Sequence, residues 1–94
     1  MNWLLENHGG KVVEWVDKAR ANPVLAEQLD EAGDDVFGVW LIFVNRHLRP
    51  LGVTYRDLAD WTWRDAFDDG MSPVMAARDA LAADEIGQLM LAQL

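Results

Sequence analysis

The chain has 94 residues, of which 51% are hydrophobic and 10% aromatic, with five tryptophans and a net charge of −8. This apolar content excludes a disordered chain, and the length predicts a single domain, residues 1–94, with one core. The absence of cysteine excludes disulfides and thiolate metal sites and fits a reducing compartment, so cytoplasm is the expected location. No apolar run approaches the roughly twenty residues of a membrane span, so no membrane insertion is expected.

Two amphipathic helices are predicted in the first third of the chain. Between residues 11 and 21 the apolar side chains recur at steps of three and four, which is typical of a helix with one buried face. Gly9-Gly10 weakens any extension toward the start, although residues 3–5 could form an extra turn that packs on this helix. An Asn-Pro pair then marks a restart, and a second helix is predicted over residues 23–32 with Gly33 as its C-terminal cap.

The next segment, residues 36–44, is apolar on every face and could be a buried strand or a central helix. Asp34-Asp35 precede it and basic residues follow it, the charge order that complements a helix dipole: Arg46, His47 and Arg49. A helix is therefore predicted, with the strand as the alternative because of the β-branched and aromatic content. In either case Pro50 ends the segment, and four of its residues are expected in the core: Val39, Trp40, Ile42 and Phe43.

A fourth helix is predicted from Tyr55 to about Asp68. Thr54 and Asp57 resemble a capping box at its start, and Gly70 closes it. Laid out at about 100° per residue, its core face holds six residues: Tyr55, Leu58, Ala59, Thr62, Trp63 and Ala66.

The C-terminal part of the chain begins with Ser72-Pro73, which suits the N-cap and first position of another helix. Its apolar pattern changes phase near Ala83-Asp84, which predicts a break and a short last helix. The apolar face of that last helix is expected to hold Ile86, Leu89, Met90 and Leu94. The predicted fold class is therefore all-α, a compact bundle of five or six short helices.

No residues have the layout of a catalytic, cofactor or metal site. The two histidines, His8 and His47, are far apart and lack a second histidine at a helical ligand spacing. Ser72, the sole serine, already has a structural role as an N-cap, and no base is positioned to activate it. No catalytic residue, cofactor or metal is therefore assigned, and the chain is not expected to be an enzyme.

Two carboxylate-rich surfaces are the candidate binding sites. One is the turn 27–35, which contains no basic residue and five acidic ones: Glu27, Asp30, Glu31, Asp34 and Asp35. The other is the outer face of the predicted fourth helix, with four aspartates: Asp57, Asp60, Asp65 and Asp68. Trp61 falls among these aspartates and is a candidate interface hot spot, with packing under a neighbouring helix as the alternative.

The acidic balance disfavours direct contact with nucleic acid, because such binding depends on Lys and Arg replacing counterions. It favours a basic partner, such as a nucleic-acid-binding protein, for which this chain would be an inhibitor or adaptor. In size and charge the chain resembles phage-encoded inhibitors of host defence systems, among them anti-CRISPR proteins that mimic DNA. The alternative is a structural protein that forms a homodimer or larger assembly through the apolar face of the last helix.

Overall fold

Helices account for all the regular secondary structure in residues 2–59 and 61–83, the part of the chain that this computed structural model describes. There are five α-helices in these ranges: α1 (Trp3–Arg20), α2 (Pro23–Ala32), α3 (Asp35–Leu48), α4 (Trp63–Asp68) and α5 (Pro73–Ala83). Two 3-10 turns, Arg49–Leu51 and Tyr55–Leu58, connect α3 to α4. The predicted all-α class is confirmed. Within the same ranges, no helix combines the length and the apolarity needed to cross a bilayer.

The central element is α3, and the prediction of a helix over residues 36–44 is confirmed. Its N-terminus is capped by Asp34, whose carboxylate accepts hydrogen bonds from the backbone N–H groups of Val36 and Phe37 at 2.9 and 3.1 Å. Helices α1, α2 and α5 all pack against it. Three of its side chains are completely buried: Trp40, Val44 and Leu48.

The prediction for the core of α3 is only partly correct. Val39 and Trp40 are buried as expected, but Ile42 and Phe43 are half-buried. The reason is that both line a groove that α1 and α2 leave open along α3. An apolar run in the sequence therefore marks a central helix without marking every residue in it as core.

Helix α1 begins eight residues earlier than its predicted start at Lys11, because Gly9-Gly10 does not stop it. His8 departs from helical geometry (φ −140°, ψ 26°) and produces a kink. The turn before the kink is anchored by Leu4, which is completely buried, and by the Trp3 ring, whose centroid lies 5.0 Å from that of His8. Burial of these side chains outweighs the weak helix propensity of the two glycines.

Helix α2 has the predicted bounds and the predicted C-terminal cap, and the structure adds an N-terminal cap. The Asn22 side chain accepts hydrogen bonds from the N–H groups of Val24 and Leu25 at 3.0 and 3.3 Å. Gly33 ends the helix with φ 75°, in the left-handed region that favours glycine.

The prediction of one continuous helix from Tyr55 to Asp68 is wrong. The capping box is present, with Asp57 accepting from the Thr54 N–H at 2.8 Å, but it opens only the short turn Tyr55–Leu58. The Leu58 carbonyl then accepts from the Trp61 backbone N–H at 3.1 Å and from the Trp63 indole N–H at 3.0 Å. These two donors occupy the Leu58 carbonyl, which in a continuous α-helix would accept from the backbone N–H four residues later. The helix therefore stops, and the chain changes direction before α4 begins.

Gly70 ends α4 with φ 82°, and Ser72 caps α5 as predicted, accepting from the Met75 N–H at 3.3 Å. Between them, the carbonyl of Met71 accepts a hydrogen bond from the indole N–H of the buried Trp40 at 3.0 Å. This bond joins the α4–α5 connection to α3. The predicted break near Ala83-Asp84 and the last helix, with Ile86, Leu89, Met90 and Leu94, lie outside the described residues.

Gly38 allows α2 and α3 to approach each other closely, which leads to a stability prediction. A Cβ atom at Gly38 would lie 2.2 Å from Leu29 Cδ2 and 3.0 Å from Leu29 Cα. The backbone contact can be relieved only by moving the two helices apart, so Gly38→Ala should lower the free energy of unfolding by about 1–3 kcal/mol. Urea denaturation followed by circular dichroism measures the change.

The matched control is Gly10→Ala, the same chemical change at a helical position where a Cβ meets no atom within 4 Å. There the higher helix propensity of alanine should stabilise the protein by about 0.5–1 kcal/mol. If the two substitutions have the same effect, the close packing of α2 on α3 is wrong.

Candidate binding site

The acidic turn 27–35 is accompanied by arginines from three other parts of the chain. Within the described residues the turn makes four ion pairs of 4 Å or less: Arg20 with Asp30 and with Asp35, Arg56 with Glu31, and Arg64 with Asp34. Arg64 also pairs with Asp68 of α4. The turn has no basic residue of its own, and the arginines that pair with it are distant in sequence. With Glu27 and Asp65 included, this acidic cluster contains seven carboxylates against three arginines, a net charge of −4.

Arg20 ties the end of α1 to α2 and α3. Its guanidinium donates to Asp30 at 2.6 Å and also to Asp35. The hydrogen bonds with Asp30 and then Asp35 raise the pKa of Arg20 above its ordinary value. Because the pair is exposed, its contribution is to the position of the carboxylates more than to stability.

The predicted binding residues have different local roles. Asp34 and Asp57 cap α3 and the turn Tyr55–Leu58, so part of their hydrogen-bonding capacity is already used. Glu27 and Asp65 are exposed and make no ion pair within the described residues. Asp60 lies outside the described residues. The carboxylates best placed for a partner are therefore Glu27 and Asp65. Glu31 is the third, because its ion pair with Arg56 is exposed and a partner cation can replace Arg56.

Glu31, Trp61 and Asp65 meet at one open groove of about 360 Å³ between α2, α3 and α4, called here the aromatic groove. Its floor contains Phe37, Leu41 and Trp63, all buried. Eleven residues line it: Glu31, Ala32, Phe37, Leu41, Tyr55, Ala59, Trp61, Thr62, Trp63, Arg64 and Asp65. The structure thus brings together one residue of the acidic turn and two of the predicted outer face of helix four.

Three aromatic rings give the aromatic groove its shape. The ring of Trp61 meets that of Trp63 edge to face, with centroids 4.7 Å apart, and Tyr55 meets Trp63 in the same manner at 6.5 Å. Hydrogen bonds hold the neighbouring backbone, since the Tyr55 N–H donates to Asn45 Oδ1 at 2.8 Å. Trp61 is half-buried, so neither the fully exposed position nor complete packing under a helix describes it.

Arg64 lines the aromatic groove through its stacked side chain: its guanidinium carbon lies 5.2 Å from the ring centroid of Phe37 and 5.4 Å from that of Phe67. It also pairs with Asp34 at 3.6 Å and with Asp68 at 3.3 Å. Stacking and ion pairing together hold this cation against the wall, which leaves Glu31 and Asp65 as the carboxylates at the rim.

Aromatic faces with carboxylates at the rim suit a positively charged ligand group. A lysine or arginine side chain is attracted by the rings and by the carboxylates together. Tyr55 and Trp63 belong to this site although the sequence pattern assigns them only to the core. The signal that could have found them is the density of aromatic residues around Trp61.

The fold and the groove define a small all-α domain with a carboxylate-rimmed aromatic groove. Residues 36–84, slightly more than half of the chain, match a family of unknown function (DUF5419), and the chain belongs to that family. It is 40% identical over 52 residues to the Gene 87 protein of Mycobacterium phage D29, a match that covers 54% of this chain and 94% of that protein. It is 39% identical over 46 residues to the Gene 87 protein of Mycobacterium phage L5, covering 48% and 87% respectively. No solved structure matches the chain.

The family segment, residues 36–84, begins within the first turn of α3 and continues beyond α5. Helices α1 and α2 lie outside it. Nine of the eleven residues that line the aromatic groove lie within it. The candidate site is therefore built mainly from the part of the chain that defines the family.

Trp61 and Trp63 are neighbours with different burial, so their substitution separates packing from surface function. Trp63→Ala should lower the free energy of unfolding by about 3–5 kcal/mol, since Trp63 is buried and donates to Leu58. Trp61→Ala removes a half-buried ring and should cost roughly half as much. Denaturant titrations of both variants test this, and equal losses would place Trp61 in the core and remove it as a hot spot.

Proposed function

We propose that this protein is a non-catalytic, acidic protein-binding module that inhibits or recruits a basic partner, most simply a nucleic-acid-binding protein in the cytoplasm. The observation that carries the proposal is the aromatic groove, which Trp61 lines together with the carboxylates Glu31 and Asp65. A groove of this composition is suited to a protruding lysine or arginine, which is the side chain that such partners use to contact phosphate.

Entry of a partner cation requires little rearrangement in this proposal. Glu31 is already paired with Arg56, but both side chains are about half exposed. Exposed ion pairs contribute only about 0–1 kcal/mol, so a partner cation competes with Arg56 at small cost. Trp61 then supplies the apolar contact that a charge pair alone lacks.

The overall charge supports the same partner. A net charge of −8 repels nucleic acid and steers a basic protein toward the acidic cluster. Arg20 and Arg64 hold their carboxylate partners in position, which supports a surface that mimics phosphates. Binding would therefore exclude the partner's own nucleic acid from the same surface.

The relatives add biological context to the proposal. Both are proteins of Mycobacterium phages. In size and charge this chain resembles small phage-encoded proteins that block host defence systems. A role as an anti-CRISPR-like or other DNA-mimicking inhibitor is the specific form of the proposal.

The test replaces Glu27, Glu31 and Asp65 by their amides in one variant. Wild-type and variant proteins are immobilised and used to capture proteins from a mycobacterial lysate, and the retained partner is then purified. Association of the pair should be fast at low salt, should slow as salt screens the charges, and should be slowed at least about tenfold by the triple substitution. Nucleic acid should compete with the wild-type protein for the partner.

The control variant carries the same change in charge on other surfaces, through Glu14→Gln, Asp17→Asn and Asp79→Asn. It should associate at nearly the wild-type rate at moderate salt, because the lost charges lie outside the acidic cluster. A partner that ignores both salt and the first triple variant, and that keeps its nucleic acid in the complex, contradicts the proposal.

A further inference from the structure

A second groove, of about 270 Å³, lies between α1, α2 and α3 and is called here the cationic groove. Its walls are mainly apolar, from Trp15, Leu25, Ile42 and Phe43. Nine residues line it: Trp15, Lys18, Ala19, Asn22, Leu25, Val39, Ile42, Phe43 and Arg46. The rings of Trp15 and Phe43 meet edge to face with centroids 5.1 Å apart, which gives the groove a firm wall.

The charge of this groove is opposite to that of the protein. Lys18 and Arg46 line it and no carboxylate does, in a chain with 16 acidic and 8 basic residues. Lys18 pairs with Glu14 at 3.2 Å, and both groups are largely exposed. Arg46 makes no ion pair within the described residues, and its guanidinium carbon lies 5.0 Å from the ring centroid of Phe43. The free charge at the edge of the apolar wall is therefore that of Arg46.

The cationic groove is built mainly from residues that precede the family segment. Five of the nine lining residues belong to α1, α2 or the turn between them, which precede residues 36–84. The family segment alone supplies only the α3 side. A ligand of this groove therefore has no necessary connection with the aromatic groove or with the proposed function.

We infer that the cationic groove binds a small carboxylate with one apolar chain or ring, such as a medium-chain fatty acid. The apolar body would lie between Trp15, Leu25 and Ile42, and the carboxylate would accept hydrogen bonds from Arg46. Such charge-assisted bonds to arginine are among the stronger polar contacts in proteins. The pairing of one free cation with one apolar wall selects an amphipathic anion over a neutral or cationic ligand.

The size of the groove favours a small ligand over a partner helix. Its volume lies just below the roughly 300–1,000 Å³ of pockets that hold drug-sized molecules. A docked helix uses several apolar anchors spaced along its face. Here the exposed cations Lys18 and Arg46 border the apolar wall, and the small volume leaves room for one chain or ring only.

Decanoate, below its micelle-forming concentration, is the probe that tests this inference. Titration into ¹⁵N-labelled protein should shift the Trp15 indole resonance in a saturable manner and should leave Trp61 unchanged. Decyltrimethylammonium, with the same chain and the opposite charge, should produce no saturable shift. Arg46→Gln should weaken decanoate binding at least about tenfold, the effect expected on losing a hydrogen bond to a charged group.

Arg49→Gln is the matched control, because Arg49 is also an exposed cation but does not line the groove. It should leave decanoate binding unchanged, and thermal melting should show that both variants are folded. Absence of a saturable shift with decanoate overturns the inference. Equal binding of the cationic probe, or equal weakening by the two substitutions, also overturns it.

Discussion

Burial of α3 from both sides is the constraint on which the rest of the structure depends. The helix is apolar around nearly its whole circumference, so one neighbouring layer cannot shield it from water. Helices α1 and α2 cover one part of its surface, and α5 covers another. Trp40 can be completely buried within this arrangement because its indole N–H finds the Met71 carbonyl, so no polar atom is left unpaired.

The two grooves follow from the same constraint, since α3 supplies a wall of each. Phe37 and Leu41 face the aromatic groove, whereas Val39 and Arg46 face the cationic groove. At about 100° per residue, Val39 and Arg46 are rotated by roughly 160–180° from Phe37. The grooves therefore lie on opposite sides of α3, one rimmed by carboxylates and the other by cations. The helices that cover α3 leave its edges open in two places with opposite charge.

Helix ends that are fixed by capping residues close in sequence could be predicted from the sequence. Asn22, Gly33 and Asp34 act on backbone groups two to four residues away, so the bounds of α2 and the start of α3 were predictable. The break before α4 was not, because it depends on the Trp63 indole reaching back to Leu58, a choice set by aromatic packing around Trp40.

The candidate site was predictable in part for the same reason. Glu31 and Asp65 were identified from local charge and Trp61 from its position among aspartates, and the three do line one groove. The ion pairs were not identified, since Arg20 and Arg56 lie 10 to 25 residues from the carboxylates they contact. Only the tertiary structure brings these charges together. It turns a segment with only negative charges into a network of ion pairs with a smaller net negative charge.

Native-state hydrogen exchange measures most directly whether α3 is the centre of the structure. The amides of residues 40–44 should exchange only by global unfolding, with protection that gives the same free energy as denaturant titration. The turn of α1 before His8 should exchange faster, because the kink separates it from the body of the helix and allows it to open locally. Exchange that is faster in residues 40–44 than in the body of α1 or in α5 would contradict the central position of α3.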